Sequence, residues 1–314
     1  MEWSERIGRR IRLRDLHILL VVVQHKSIAK AAEYLAISKP VISKTIADLE
    51  HVVGVRLLER DRYGAEATAY GVALIKRGIA VFDELREGVK DIEFLNDPQI
   101  GEVRIGCTPM LAASFVSTVV DRLSRRSPRI TFEIVSKPIQ ALEHELNERN
   151  VDLLVARSFS PFEGERFNFE PIFDDGEVVV TGIQNPLARR RKIELAELIN
   201  ERWTLPPASN AYAGLAAETA FRACGLPNPR TVVVSDSPHV RMSLLATGRF
   251  VSIFPAFAVR FPVMHPNLKI LPIRLPLVRP AAGVVTLRKR MLRPAMRLFI
   301  DTAREVAKPL AKVA

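Results

Sequence analysis

The chain has 314 residues, too many for one small domain and enough for two or three. Its greasiest stretch, Leu16 to Val23, is far too short to cross a bilayer and is interrupted by His17, so no membrane span is expected. Two cysteines exclude a disulfide framework, and a net charge of +11 admits a polyanionic partner without identifying one.

Residues 1–14 are rich in arginine, but no small-residue cleavage pattern follows, so a cytoplasmic protein is expected. From Ser27 to Ile46 the pattern is two short helices joined by a tight turn. Ser27 is placed to cap the first, whose Ala31, Ala32 and Leu35 form an inward stripe. The hydroxyl of Ser38 is placed to cap the second, and Pro40 suits an early helical position. Val41 or Ile42, with Ile46 and Leu49, would hold the second helix on the first. That leaves Lys39, Ser43, Lys44 and Thr45 facing outward near its start, the arrangement with which a helix-turn-helix reads base edges in the major groove. Gly54 to Thr68 reads as a β-wing, with Arg56, Arg60 and Arg62 as phosphate anchors or partners of Glu59 and Asp61.

Several segments resemble the LysR-type transcriptional regulators: Leu13-Arg14-Asp15-Leu16, Ser27 to Leu35, Ser38 to Ser43, Leu49-Glu50 and Gly54 to Arg60. The resemblance implies promoter DNA as a partner, contacted through Ser38, Lys39, Pro40, Ser43, Lys44, Thr45, Arg56, Arg60 and Arg62. It implies a homodimer or homotetramer, contact with RNA polymerase, and an effector domain of two periplasmic-binding-protein-like (type 2) lobes. Two positions depart from the pattern: Lys39 stands where the family has glutamine, and Glu66 where a basic residue is common.

Residues 69–96 read as one helix with Leu74, Gly78, Val81, Leu85, Gly88, Ile92 and Leu95 spaced alternately four and three apart, a coiled-coil seam suited to dimerisation. Asn96-Asp97-Pro98-Gln99 breaks it. Beyond that break strands and helices alternate, which argues an α/β domain with mainly parallel sheets. The expected organisation is therefore an α/β protein with an N-terminal all-α winged helix-turn-helix: 1–68 for DNA, 69–98 as linker, 99–176 with 282–314 as the first lobe, and 177–281 as the second. Crossing strands are expected near Asp174–Val178 and Leu277–Gly283.

In such sheets ligands sit beyond the carboxyl ends of strands. Thr108-Pro109, Lys137-Pro138 and Ser237-Pro238 each put a polar residue and a proline between strand and helix, where the first turn leaves backbone N–H groups free for an anion. Ser209-Asn210 opens a helix in a comparable way, and Lys137 and Arg157 add positive charge. A small anionic effector, a carboxylate, is expected in contact with Thr108, Pro109, Lys137, Arg157, Ser209, Asn210 and Ser237. Plain helix capping accounts for the same residues without a ligand.

The six histidines show no metal-ligand spacing with the cysteines or each other, and no cofactor is expected. Neither a P-loop, a Gly-x-Gly-x-x-Gly fingerprint nor a Gly-x-Ser-x-Gly elbow occurs, so no enzyme is expected. Cys107 and Cys224 read as small hydrophobes rather than a redox pair. Residues 284–314 carry eight Lys/Arg against two Asp/Glu, and Arg288, Lys289, Arg290, Arg293, Arg297 and Arg304 read as the solvated face of a last helix. The alternative to a regulator is a solute-binding or enzymatic protein that merely shares the two-lobed fold.

Overall fold

A computed structural model describes residues 10–61, 64–157, 166–209, 211–260, 266–288 and 290–311. The chain divides into two compact units, Met1–Ile92 and Glu93–Ala314. No helix among the described residues is long and apolar enough to cross a membrane.

The first unit holds α1 (Leu13–His25), α2 (Ile28–Tyr34), α3 (Lys39–Val53), the hairpin β1 (Leu58–Asp61) and β2 (Gly64–Ala67), and most of α4 (Ala69–Asn96). Ala31 and Ala32 are buried in one core with Ile18, Leu19 and Val22 of α1, small side chains that allow close helix packing. Ile42, Ile46 and Leu49 recur at steps of four and three, and all three are buried, so they fix which face of α3 looks outward. The inward residue at its start is Ile42; Val41 is 40% exposed.

Helix α4 treats its apolar positions in two ways. Leu74 packs in the core of its own unit, Gly78 is buried beside the Leu16 side chain, and Phe82 meets His17 edge-on at 5.8 Å. From there Val81, Leu85, Ile92 and Leu95 are exposed, and Gly88 has nothing within 4 Å of where a Cβ would stand. The expected seam thus begins within the unit and continues as an open apolar stripe.

The second unit contains two five-stranded sheets. The first has the order β4-β3-β5-β12-β6, from β3 (Gly101–Cys107), β4 (Ile130–Ser136), β5 (Leu153–Arg157), β6 (Phe167–Asp174) and β12 (Ala281–Leu287). The second has the order β11-β7-β10-β8-β9, from β7 (Glu177–Gly182), β8 (Trp203–Leu205), β9 (Thr231–Val234), β10 (Val251–Pro255) and β11 (Leu268–Ile270). The sheets are mixed rather than mainly parallel. In the first sheet β12 runs antiparallel to β5 and β6, and in the second β7 runs antiparallel to β10 and β11. The reason is topological: the chain passes from the first sheet to the second between β6 and β7, and returns into β12, so the strands that enter from the other sheet, β7 and β12, oppose the helix-linked ones.

Residues 109–126 form one helix, α5, made of Pro109–Leu111, a π turn at Ala112–Val116 and Ser117–Arg126. The hydroxyl of Ser114 donates to the Met110 carbonyl (2.6 Å), while Ser117 and Thr118 hydroxyls donate to the Ser114 carbonyl (2.9 and 2.8 Å), so side chains occupy acceptors the helix would otherwise share. The other helices are α6 (Ile139–Asn147), α7 (Ala211–Ala223), α8 (Pro238–Ala246), α9 (Ala256–Arg260) and α10 (Pro294–Ala311). Leu195–Leu198 form a 3-10 turn. A single apolar core runs from β3 and α5 to Val180, Met242, Phe254 and Phe257, so the two sheets are welded by buried side chains.

The basic C-terminal run is only partly solvated, contrary to its reading as a helix face. Arg290 and Arg293 precede α10 and are 9% and 4% exposed. With Arg104 they surround the buried Asp152, whose carboxylate lies 2.9 Å from Arg104, 3.4 Å from Arg290 and in contact with Arg293. Burial pushes the Asp152 carboxyl up, but the Arg104 hydrogen bond and the charge of Arg293 outweigh it and hold it below its ordinary value. Arg304 is exposed and pairs with Glu170 and Asp301.

Candidate functional site

The start of α3 is built by backbone rather than by the expected hydroxyl. Ser38 sits at the cap position and its carbonyl accepts from Val41 N (3.0 Å) and Ile42 N (3.3 Å), but its side chain makes no capping hydrogen bond. Pro40 is the second helical residue, where no donor is needed. Ser38, Lys39, Pro40, Val41 and Lys44 are exposed, while Ser43 and Thr45 are half-buried. The six predicted contacts on this helix therefore share one end of it, with the two ammonium groups at its outer surface. At α2 the expected cap does form: Ser27 Oγ accepts from Lys30 N at 3.4 Å.

The hairpin is fastened to α3 by a residue the sequence reading had not assigned a role. Glu50 Oε1 accepts from Leu57 N (2.7 Å) and Leu58 N (3.1 Å), satisfying two donors at the entry to β1. Ala65 N donates to the Lys26 carbonyl (3.1 Å), tying β2 to the end of α1. At Gly71, in the first turn of α4, a Cβ would stand 2.1 Å from the Leu57 carbonyl oxygen, so the chain passes there only as glycine. Thr68 Oγ1 donates to the Arg56 carbonyl and accepts from Gly71 N (2.8 and 3.1 Å), which closes the junction. Arg56 is exposed; the Arg60 backbone lies in β1 opposite Ala65, and Arg62 lies outside the described residues, as does the Arg60 side chain. Glu59 and Glu66 face each other across the hairpin, two like charges that oppose both the pairing and a phosphate.

In the second unit, the proline-led starts of α5 and α8 border one small pocket. Pro109, Met110, Ala113 and Ser114 line it from α5, Pro238, His239 and Met242 from α8, and Ala258 from α9, around a cavity of about 10 Å³, the room one water needs. The lining is mostly apolar. Thr108 is half-buried at the head of α5, with no capping hydrogen bond from its side chain; Ser237 Oγ accepts from Val240 N at 3.4 Å. Pro138 lies one position before its helix rather than in it. Ser209 is exposed in a turn before α7, and Asn210 lies outside the described residues.

The two predicted cations are engaged elsewhere. Lys137 Nζ reaches Glu145 (2.6 Å), and that contact, with Asn150, holds the Glu145 carboxyl below its ordinary value. Arg157 is buried between Glu177 (2.7 Å) and Asp175 (3.6 Å), at the passage between the two sheets. Asp175 Oδ1 also accepts from Phe257 N (2.9 Å), holding the first turn of α9. Burial pushes the Asp175 carboxyl up to about 6 despite the Arg157 charge. Arg241 of α8 is buried over the Phe254 ring, 4.3 Å from its centroid, and burial brings its guanidinium down to about 10. Asp175, Glu177 and Arg241 carried no sequence signal, because each depends on partners brought together by the sheets. Cys107 is buried and its thiol is pushed up to about 12, so it stays a protonated hydrophobe; Cys224 is exposed. No group of three or more potential metal ligands occurs among the described residues.

Two family models match the chain. Residues 13–72 match the bacterial regulatory helix-turn-helix protein of the lysR family, and residues 96–308 match the LysR substrate binding domain. Among curated relatives, the transcriptional regulator GbpR of Azospirillum brasilense is 28% identical over 78% of this chain and 72% of its own. The regulator PcaQ of Agrobacterium fabrum is 26% identical over 85% and 86%. The crystal structure of full-length CbnR in complex with its target DNA aligns over 95% of this chain and all of that one, with a TM-score of 0.53 at 20% identity. A Corynebacterium glutamicum OxyR mutant aligns over 96% and 94%, with a TM-score of 0.55 at 19% identity, a likeness of fold.

Proposed function

The chain belongs to the LysR family of DNA-binding transcriptional regulators, and on that premise we propose that it reads promoter DNA as a homodimer or homotetramer and answers to a small anionic effector held between its two sheets. The observation that carries the DNA contact is the outward face at the start of α3, with Lys39 and Lys44 exposed above a core that fixes the helix's rotation. Lys39 and Ser43 read bases, and Arg56, Arg60 and Arg62 anchor phosphates. Support for the oligomer is the open stripe on α4, since a second copy laid along Val81, Leu85, Ile92 and Leu95 would remove them from water and pair two recognition helices. Glycine at 88 allows that copy to approach closely.

For the effector, the support is the pocket between the starts of α5 and α8. Backbone N–H groups there, with the Thr108 and Ser237 hydroxyls, receive a carboxylate. Arg157 joins only if the effector's carboxylate exchanges with Glu177 or Asp175, which converts binding into a rearrangement where the chain passes between sheets. The two domain arrangements and contact with RNA polymerase complete the reading. The test is a mobility-shift assay of the purified protein with its own upstream DNA, with and without a panel of organic acids. Retardation that an acid alters, and that Thr108→Ala desensitises to that acid, is the expected result. Retardation indifferent to every acid removes the effector from the proposal; no retardation at low salt removes the promoter.

A further inference from the structure

We propose that the edge of the second sheet from which its parallel strands set out is a further DNA-contacting surface, gripping phosphates of duplex outside the segment read by α3. It rests on the DNA-binding reading above and adds a place of contact in the effector unit. Strands β8, β9 and β10 start at Trp203, Thr231 and Val251. Arg202 and Arg230 stand immediately before the first two, and Arg249 two positions before the third. Trp203 N donates to the Arg230 carbonyl and Val251 N to the Arg202 carbonyl, both at 3.0 Å, which holds the three starts side by side. The guanidinium carbons of Arg202 and Arg249 lie 4.9 and 5.8 Å from the centroid of the Phe250 ring, so both groups rest on one aromatic and lose less freedom on binding.

Strand β7 is antiparallel to β10 and ends on this same edge. The chain then runs through a 3-10 turn, Pro186–Arg189, into the consecutive cations Arg189, Arg190, Arg191 and Lys192. Asn185 Nδ2 donates to the Gly248 carbonyl at 2.9 Å, pinning that segment beside Arg249. Carboxylates answer only part of the charge: Glu197 pairs with Arg190 at 2.6 Å, and Glu194 lies 3.7 Å from Lys192. Arg189, Arg191, Arg202, Arg230 and Arg249 are exposed, with no carboxylate oxygen within 4.0 Å among the described residues. Planar guanidinium forks match phosphate oxygens two at a time, and a run of phosphates along a duplex answers several of them at once.

The experiment uses the full chain and two duplexes, one covering only the operator and one extended by two helical turns on each side, with affinity measured against salt. Arg189→Gln/Arg191→Gln touches no aromatic contact; a second variant adds Arg202→Gln and Arg249→Gln. On the extended duplex the salt slope is expected to fall, for each bound copy, by about two units for the first variant and by up to about four for the second, at about 0.9 per phosphate released. On the operator alone the slopes stay as in the wild type. Wild-type slopes for both variants on the extended duplex, with operator binding intact, overturn this inference alone. Unchanged slopes with lost transcriptional activation also overturn it and assign the edge to an acidic protein. Failure of the wild type to bind the operator overturns the inference together with the DNA reading.

Discussion

Charged side chains do opposite work in the two units. In the first, Lys39, Lys44 and Arg56 stand in water around a wholly apolar core, and Glu50, a carboxylate, holds only backbone donors. In the second, Arg104, Arg290 and Arg293 are drawn in around Asp152, and Arg157 is drawn in between Asp175 and Glu177. The lesson is that arginine reports a contact surface only where nothing in the fold has already claimed it. The first unit keeps these cations outside, while the second commits Arg157 to the passage between its sheets and Arg104, Arg290 and Arg293 to Asp152, and leaves only its remaining arginines, such as those at the edge of the second sheet, open to a partner.

The strongest way to break this contrast is Asp152→Ala, which leaves three guanidinium groups facing one another without their shared anion. A loss of about 3–5 kcal/mol in unfolding free energy is expected, read by denaturant melts of the effector unit's transition. Next comes Asp175→Asn, which keeps an oxygen for Phe257 N. The folded carboxyl stands at about 6 against an ordinary 3.8, so the fold favours the protonated acid. Its contribution is full below about pH 4 and is lost as pH rises through 6, on the order of 3 kcal/mol at about 1.36 kcal/mol per pH unit. The variant is expected to be more stable than the wild type at pH 7.5 and equal to it near pH 4; a parallel pH profile for both proteins would contradict the assignment. Gly71→Ala, which sets a methyl group against the Leu57 carbonyl, is expected to cost about 1–3 kcal/mol and to loosen the hairpin while the second unit melts unchanged. Smallest is Ser27→Ala, about 1 kcal/mol from the lost cap of α2, visible as a small drop in the first unit's melting temperature.

The same contrast explains what could be read in advance. The helix-turn-helix was legible because its determinants are local: the Ser27 cap spans three residues, and Ile42, Ile46 and Leu49 follow one helical repeat. The Asp152 cluster was not, since Arg104 and Asp152 are 48 positions apart and periodicity says nothing about such pairs. Arg157 illustrates the cost: it reads as positive charge for a ligand site, but Glu177, in a strand of the other sheet, occupies it. Ser38 failed as a side-chain cap because the helix start was satisfied by its carbonyl. The mixed character of the sheets followed from the return of the chain, which composition does not record.

The apolar core shared by the two sheets has a thermal consequence. Any effector that pries the sheets apart must wet Phe254, Phe257 and their neighbours, and water around such groups raises the heat capacity. Because hydrophobic cohesion weakens on cooling, the parted arrangement gains ground in the cold. The balance between the joined and parted arrangements of the two sheets would then shift with temperature.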